Sequence, residues 1–335
     1  MKKSKFWIGM ATGVLAFWIC LKDVSWTEVG NSLQNVSVLP LFGVIACMFS
    51  AYVFRARRWS LLLKPLRTIS WRESFAINAV GFLSINVLPL RLGEFTRPYL
   101  MKKRHKITMT TGMALVIIER VFDGLACTLA LFIGLISISD ATVDMSGWTF
   151  GLQSLAWGAF FLFFPVLVVF VLLVVKKELA LKVVAWLTKM LPASIQTKIT
   201  QLTNNFVIGL SALPNMKTFL LVSLETIGVW GGIPLAYLFL MSAFSLDLPW
   251  TACFTVTGIA ALGVMIPGPP GFVGTFQLFV QAALAVYGVS KSVGFALSMV
   301  FFTLNLLFVL VIGLIFLKRM ATPLATISEE ILREP

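Results

Sequence analysis

Long apolar runs separated by short polar and basic segments fill most of the chain, and their lengths sort them into two kinds. Residues 6–22, 38–63, 108–138, 152–175, 218–243 and 292–317 each suffice for a membrane crossing, which takes ~20 helical residues at a rise of ~1.5 Å each. Two other runs do not. Residues 73–96 are broken at Pro89 and carry Arg91 and Glu94, with Arg97 directly after, where a spanning helix would carry no charge. Residues 251–266 reach roughly 24 Å against a ~30 Å core. PGPPG at Pro267–Gly271 then stops the helix, and residues 272–287 run back. The pattern predicts an all-α integral membrane protein with about six spanning helices and two re-entrant helical hairpins.

Basic residues set the orientation. Lys2, Lys3 and Lys5 precede the first run, and the second ends in Arg55, Arg57 and Arg58, followed by Lys64, Arg67 and Arg72. Such clusters mark the cytoplasmic side. If residues 73–96 crossed completely, Lys102, Lys103, Arg104 and Lys106 would fall outside, against that bias; a hairpin that enters and returns keeps both clusters inside. The segment Lys22–Ser37 and the loop around Asp140 and Asp144 are read as outside loops. Six lysines and two amphipathic patterns between Lys176 and Lys217 predict interfacial helices over about 178–212, lying along the cytoplasmic surface. The expected location is the inner (cytoplasmic) cell membrane, multi-pass, with both termini cytoplasmic. Residues 1–320 form one transmembrane domain, and 321–335 a short polar tail.

Helix, hairpin and helix over 38–138 correspond to helix, hairpin and helix over 218–317, with the first set starting outside and the second inside. That is an inverted repeat. Pro/Gly-interrupted segments at matching places in two halves point to a transporter's binding site.

Composition narrows the class further. Hydrophobic residues are 59% and charged residues 12% of 335, and mean hydropathy is +0.93, which leaves no block for a soluble catalytic domain. The net charge of +13 sits at the ends of apolar runs, where it meets anionic headgroups rather than nucleic acid. Cys20, Cys47, Cys127 and Cys253 lie in apolar runs without metal or disulfide spacing, and His105 is the sole histidine, within a basic loop. No metal or cofactor is expected. The N-terminal run lacks a small-residue cleavage site and reads as a signal anchor.

The chemistry concentrates where hydrocarbon would not tolerate it. Glu119, Arg120 and Asp123 lie within one apolar helix; Glu119 and Asp123 share a face at i, i+4. Each charge at the bilayer centre costs ~2.5–3.5 kcal/mol, so the three must face the protein interior, water or each other. Arg91 and Arg97 are the natural counter-charges. Three readings fit: an ion-pair network that locks the broken hairpin, a lipid headgroup site in which arginines hold phosphate, or a Glu119 that is simply solvated at the interface. In PGPPGFVG, a new helix start offers N–H groups to an anion, or the segment is a packing kink. Glu225, Gln277, Gln281 and Asn305 either line a cavity or join helices.

NVLPLRLGEFTRPYL at Asn86–Leu100, ERVFDG at Glu119–Gly124 and PGPPGFVGTFQ at Pro267–Gln277 resemble, in order, the signature blocks of the lysylphosphatidylglycerol synthase transmembrane-region family, the flippase-like domain. The resemblance covers nearly the whole chain. It implies movement of a lipid between leaflets: an aminoacylated phosphatidylglycerol, another phospholipid or a polyprenyl-linked carrier. By resemblance the site is Arg91, Glu94, Arg97, Glu119, Arg120, Asp123, Pro267, Gly268, Pro270, Gly271, Gly274 and Gln277. The aminoacyl-transfer domain of the full-length synthases is not expected here, and with it lysyltransferase activity. Expected partners are membrane lipids with a phospholipid or polyprenyl phosphate headgroup, with a homo-oligomer or a partner synthase left open. A membrane-embedded transferase acting on a lipid and a non-transporting partner subunit are the alternatives to a flippase or scramblase. On this reading, neutralising Arg97 or Glu119 abolishes translocation and leaves a folded protein.

Overall fold

The structure, a computed structural model, describes residues 2–134, 215–265 and 269–320, with short pieces at 136, 142–145 and 148–151, scattered positions over 153–186, and 330. The side chains of 2–9, 12, 89–91, 142–150 and 270 are outside that description. The helices are α1 (Lys2–Leu21), α2 (Trp26–Gln34), α3 (Val38–Leu63), α4 (Trp71–Val87), α5 (Thr96–His105), α6 (Met109–Gly134), α7 (Met216–Ala243), α8 (Ala252–Met265), α9 (Thr275–Ala285) and α10 (Lys291–Met320). Short 3-10 turns at Pro89–Phe95 and Pro270–Phe272 separate α4 from α5 and α8 from α9. The class is all-α membrane protein, as the apolar runs predict. To it the described residues add a small antiparallel hairpin, β1 (Thr142–Met145) with β2 (Trp148–Gly151), Met145 opposite Trp148.

The helices α3, α7 and α10, of 26, 28 and 30 residues, are long and apolar enough to cross a membrane. The 26-residue α6 matches α3 in length but carries the three charges. The broken helices sit inside this set. Buried residues make up six of ten in α5 and nine of 14 in α8, against eight of 30 in α10. Irregular backbone at membrane depth is tolerated only when protein or a wet cavity covers it, and here α4 packs on α3 and α10, while α8 packs on α6, α7 and α9.

Each hairpin is closed at its base. Ser70 caps α4 by accepting from the Glu73 N–H at 3.2 Å. Glu73, in that first turn, meets His105 in the last turn of α5, with 3.0 Å between Oε1 and Nε2. α4 ends because Pro89 supplies no N–H and holds Leu88 extended at φ −82°, ψ 139°. α5 ends at Lys106 in the left-handed region, φ 59°, and its last turn is basic, matching the helix dipole. At the base of the second hairpin, the hydroxyls of Thr255 in α8 and Tyr287 after α9 are 2.7 Å apart.

Three expectations change in detail. The segment Lys22–Ser37, expected to be an outside loop, contains α2, whose start is fixed by Ser25 accepting from the Glu28 N–H, the S-x-x-E pattern of a helix N-terminus. The basic segment around His105 is the end of α5 rather than a loop. The first hairpin therefore runs on to His105 instead of ending at 96. The crossing over 152–175, the interfacial helices over 178–212 and the tail 321–335 lie outside the described residues, apart from isolated positions.

Candidate functional site: a buried ion network beside an apolar cavity

The network begins with the place where α5 starts. Arg97 sits in its first turn, 2% exposed, with its guanidinium 4.6 Å from the Trp59 ring. Its Nη1 donates to Glu119 Oε2 at 2.5 Å and to Asn78 Oδ1 at 3.0 Å, so the residue ties the two limbs of the first hairpin to each other and to α6. Gly81 makes the room. A Cβ there would lie 2.5 Å from Arg97 Cγ and 3.1 Å from Cδ. Gly81→Ala is therefore expected to push Arg97 off Glu119 and to lower thermal stability in detergent by an amount equivalent to about 1–3 kcal/mol; an unchanged melting temperature would contradict it.

Arg58 is the second anchor, and sequence reasoning placed it in the cytoplasmic cluster. It is 2% exposed. Its Nε donates to Glu119 Oε1 at 3.3 Å and its Nη1 to Asp123 Oδ1 at 2.8 Å and to Thr226 Oγ1 at 3.2 Å. Trp230 Nε1 also donates to Asp123 Oδ1, at 2.9 Å. Both oxygens of Glu119 thus accept from buried guanidinium groups. Two arginines against two carboxylates leave this core of the network neutral, which is the condition for burying it at all. The signal was in the helical spacing. Arg55 and Arg58 follow Met48, Ala51 and Tyr52 at intervals of three and four, on the inward face of α3, whereas Arg57 is off that face and exposed.

A cavity of about 570 Å³ opens beside the network. Its charged end carries Arg55, Arg58, Arg97, Arg120, Glu94, Glu119 and Asp123. Among the described residues, four guanidinium groups minus three carboxylates make that end +1. Its remaining walls are largely apolar, among them Ile233, Tyr237, Val264, Phe276, Phe301 and Phe302. Arg55 leans on aromatic rings, 4.9 Å from the Phe82 centroid and 5.8 Å from that of Tyr52. Among the described residues no carboxylate reaches it within ion-pair distance. Arg120 is 48% exposed and meets Asp123 only at 3.8 Å.

Of the residues singled out in the sequence, Glu94, Arg97, Glu119, Arg120, Asp123 and Gly271 come together on this cavity, with Asn305. Gly274 and Gln277 do not line it. Gly274, at φ 92°, lies against α1, where a Cβ would meet Gly13 O at 2.4 Å. Its N–H donates to Gln277 Oε1 at 2.7 Å, so Gln277 caps its own helix. Gln281 joins α9 to α1 and α10 through Cys20 O and Lys291 O. Glu225 pairs with Arg57. Pro267 and Gly268, and the side chains of Arg91 and Pro270, lie outside the described residues.

Fold and site together define a helical membrane protein in which two broken hairpins are buried inside longer helices, the first of them charged. The chain belongs to the family described as the lysylphosphatidylglycerol synthase TM region, whose model matches residues 6–313. A curated relative is the UPF0104 membrane protein MJ1078 of Methanocaldococcus jannaschii, 26% identical over 255 residues, which are 75% of this chain and 96% of that protein. No solved structure matches the chain significantly.

Proposed function

We propose that the protein moves an anionic lipid, either aminoacylated or polyprenyl-linked, between the leaflets of the inner (cytoplasmic) cell membrane, taking its headgroup into the charged end of the cavity. The observation that carries this reading is Arg55. Among the described residues it faces the cavity without a carboxylate of its own, beside a loosely held Arg120, while Arg58 and Arg97 are committed to Glu119 and Asp123. A phosphate entering there would gain two guanidinium forks, and the aromatic and aliphatic walls would receive the start of its hydrocarbon chain. Glu94 stands at the same end for the ammonium of an aminoacylated head. On this reading the ion network is scaffold and the second pair of arginines is site.

The closed bases of both hairpins support a re-entrant course for each, with both termini cytoplasmic. The exchange of packing supports the inverted repeat over 38–138 and 218–317: α4 rests on α10 as α8 rests on α6, and α3 runs along α7.

Leaflet exchange in reconstituted vesicles tests the proposal. Vesicles containing the protein are expected to exchange fluorescent phosphatidylglycerol or polyprenyl phosphate faster than empty ones. Arg55→Ala with Arg120→Ala should cut that rate at least tenfold, since each charged hydrogen bond lost is worth ~1.5–3 kcal/mol, and should leave the melting temperature in place. Rates equal to those of empty vesicles for every anionic lipid tried would refute it.

A further inference from the structure

Arg57 and Arg58 are consecutive on α3 and reach opposite fates. Arg58 enters the buried network, and Arg57 Nη2 pairs with Glu225 Oε1 of α7 at 2.9 Å. The two ends of that pair are unequal: the Arg57 side chain is 55% exposed and that of Glu225 is 6% exposed. The second oxygen of Glu225, Oε2, is fully buried and has no hydrogen-bond partner among the described residues. Glu119, buried more deeply still at 1% exposed, has a guanidinium on each oxygen.

An ionised carboxylate with one dry, undonated oxygen is costly, and buried groups so placed neutralise instead. Among the described residues the charges facing Glu225 come from α3, Arg57 in contact and Arg58 behind it. From α6, Glu119 and Asp123 are turned to Arg58. The segment 252–265 of α8 carries no charge, and the charges of α10 are at its ends, Lys291, Lys318 and Arg319.

We propose that Glu225 is a proton-binding site, separate from the carboxylates of the cavity, whose occupancy releases Arg57. A proton from water adds to the carboxylate, the carboxyl becomes neutral, and the Arg57 guanidinium, already half in the open, turns to water or headgroup phosphates. No other bond changes. The event occurs on the seam between α3 and α7. There Gly228 lies under Phe54 and Gly43 under Phe239, leaving little slack. The next residue along, Thr226, accepts from Arg58. Protonation is therefore one residue away from the network that shapes the cavity, and it gives translocation a route to proton coupling. That last clause rests on the lipid-transport reading; the proton site itself does not.

Infrared difference spectra recorded over a pH titration of the full-length protein test the site. The carbonyl stretch of one protonated carboxyl should be lost in Glu225→Gln. In Arg57→Ala, which keeps the carboxyl and removes its cation, the midpoint of that band should move up by roughly 1–3 pH units. A spectrum unchanged in Glu225→Gln, or a midpoint unmoved in Arg57→Ala, overturns the proposal. In reconstituted vesicles an imposed pH gradient should change the exchange rate of the wild type and not that of Glu225→Gln. Equal sensitivity in both overturns the coupling. Absence of exchange in every variant would refute lipid transport and leave the infrared result to decide the proton site.

Discussion

Arg58→Leu is expected to be the most damaging single substitution in the charged core. The guanidinium serves Glu119, Asp123 and Thr226 from a position 2% exposed. Leucine fills much of the volume and answers none of the charge. Removing one partner of a buried pair costs ~3–5 kcal/mol, here because two carboxylates would be left to share one buried guanidinium. Asp123 would retain Trp230 and a distant Arg120, and Glu119 would retain Arg97. Thermal unfolding in detergent should show a large fall in melting temperature, with Arg55→Ala as a control that stays near wild type. The same geometry revises the expectation that neutralising Arg97 or Glu119 would spare the fold. With side chains 3% and 1% exposed, neutralising Glu119 strips buried Arg97 of its carboxylate, and neutralising Arg97 leaves Glu119 Oε2 without its guanidinium while Arg58 keeps Oε1, so lost stability should accompany lost transport. A melting temperature for Arg58→Leu within a degree of wild type would contradict the scaffold role.

Gly93→Val should do comparable harm by sterics alone. A Cβ at Gly93 would lie 2.1 Å from Ile85 N, 2.3 Å from Ser84 C and 2.4 Å from Ile85 Cα. These are main-chain atoms of α4, and no rotamer change moves them. The turn Pro89–Phe95 would have to lift away from the end of α4, carrying Glu94 with it and pulling on Arg97 beyond. Overpacking against backbone costs about 3 kcal/mol or more, so the variant should elute as aggregate or unfold at much lower temperature. Gly30, where an added Cβ meets nothing within 4 Å, provides the matched substitution expected to be silent in packing. Wild-type behaviour of Gly93→Val would mean that the turn does not fold back on α4 as described.

Much of this architecture is legible in the order of residues, because hydrocarbon punishes errors of length and charge. Pro89 and the prolines around Pro269 break helices that were too short or too charged to cross, and the structure breaks them there. Arg97 and Glu119 could be paired from the sequence because each is intolerable alone. Arg58 was concealed by its neighbours: at the end of a span, next to Arg55 and Arg57, it reads as part of a headgroup cluster. Only the three-and-four spacing from Met48 and Ala51 separates the inward arginines from the outward one. Gln277 was concealed for a different reason. A glutamine three residues into a helix is as good a cap as a ligand, and the choice depends on Gly274 being pressed against α1, a contact between residues far apart in sequence. α2 was passed over because polar residues outnumber apolar ones in it, although Ser25 and Glu28 mark its start.

The central claim is that the first hairpin enters the membrane and returns to the face it left, bringing Arg97 to Glu119. Single cysteines at Arg72 and Lys103, at the two ends of that hairpin, can be challenged with a membrane-impermeant maleimide from each side of oriented vesicles, with a cysteine at Thr27 as the reference for the opposite face. Both hairpin positions should react from the cytoplasmic side and Thr27 from the other; reaction of Arg72 and Lys103 from opposite sides would contradict the account.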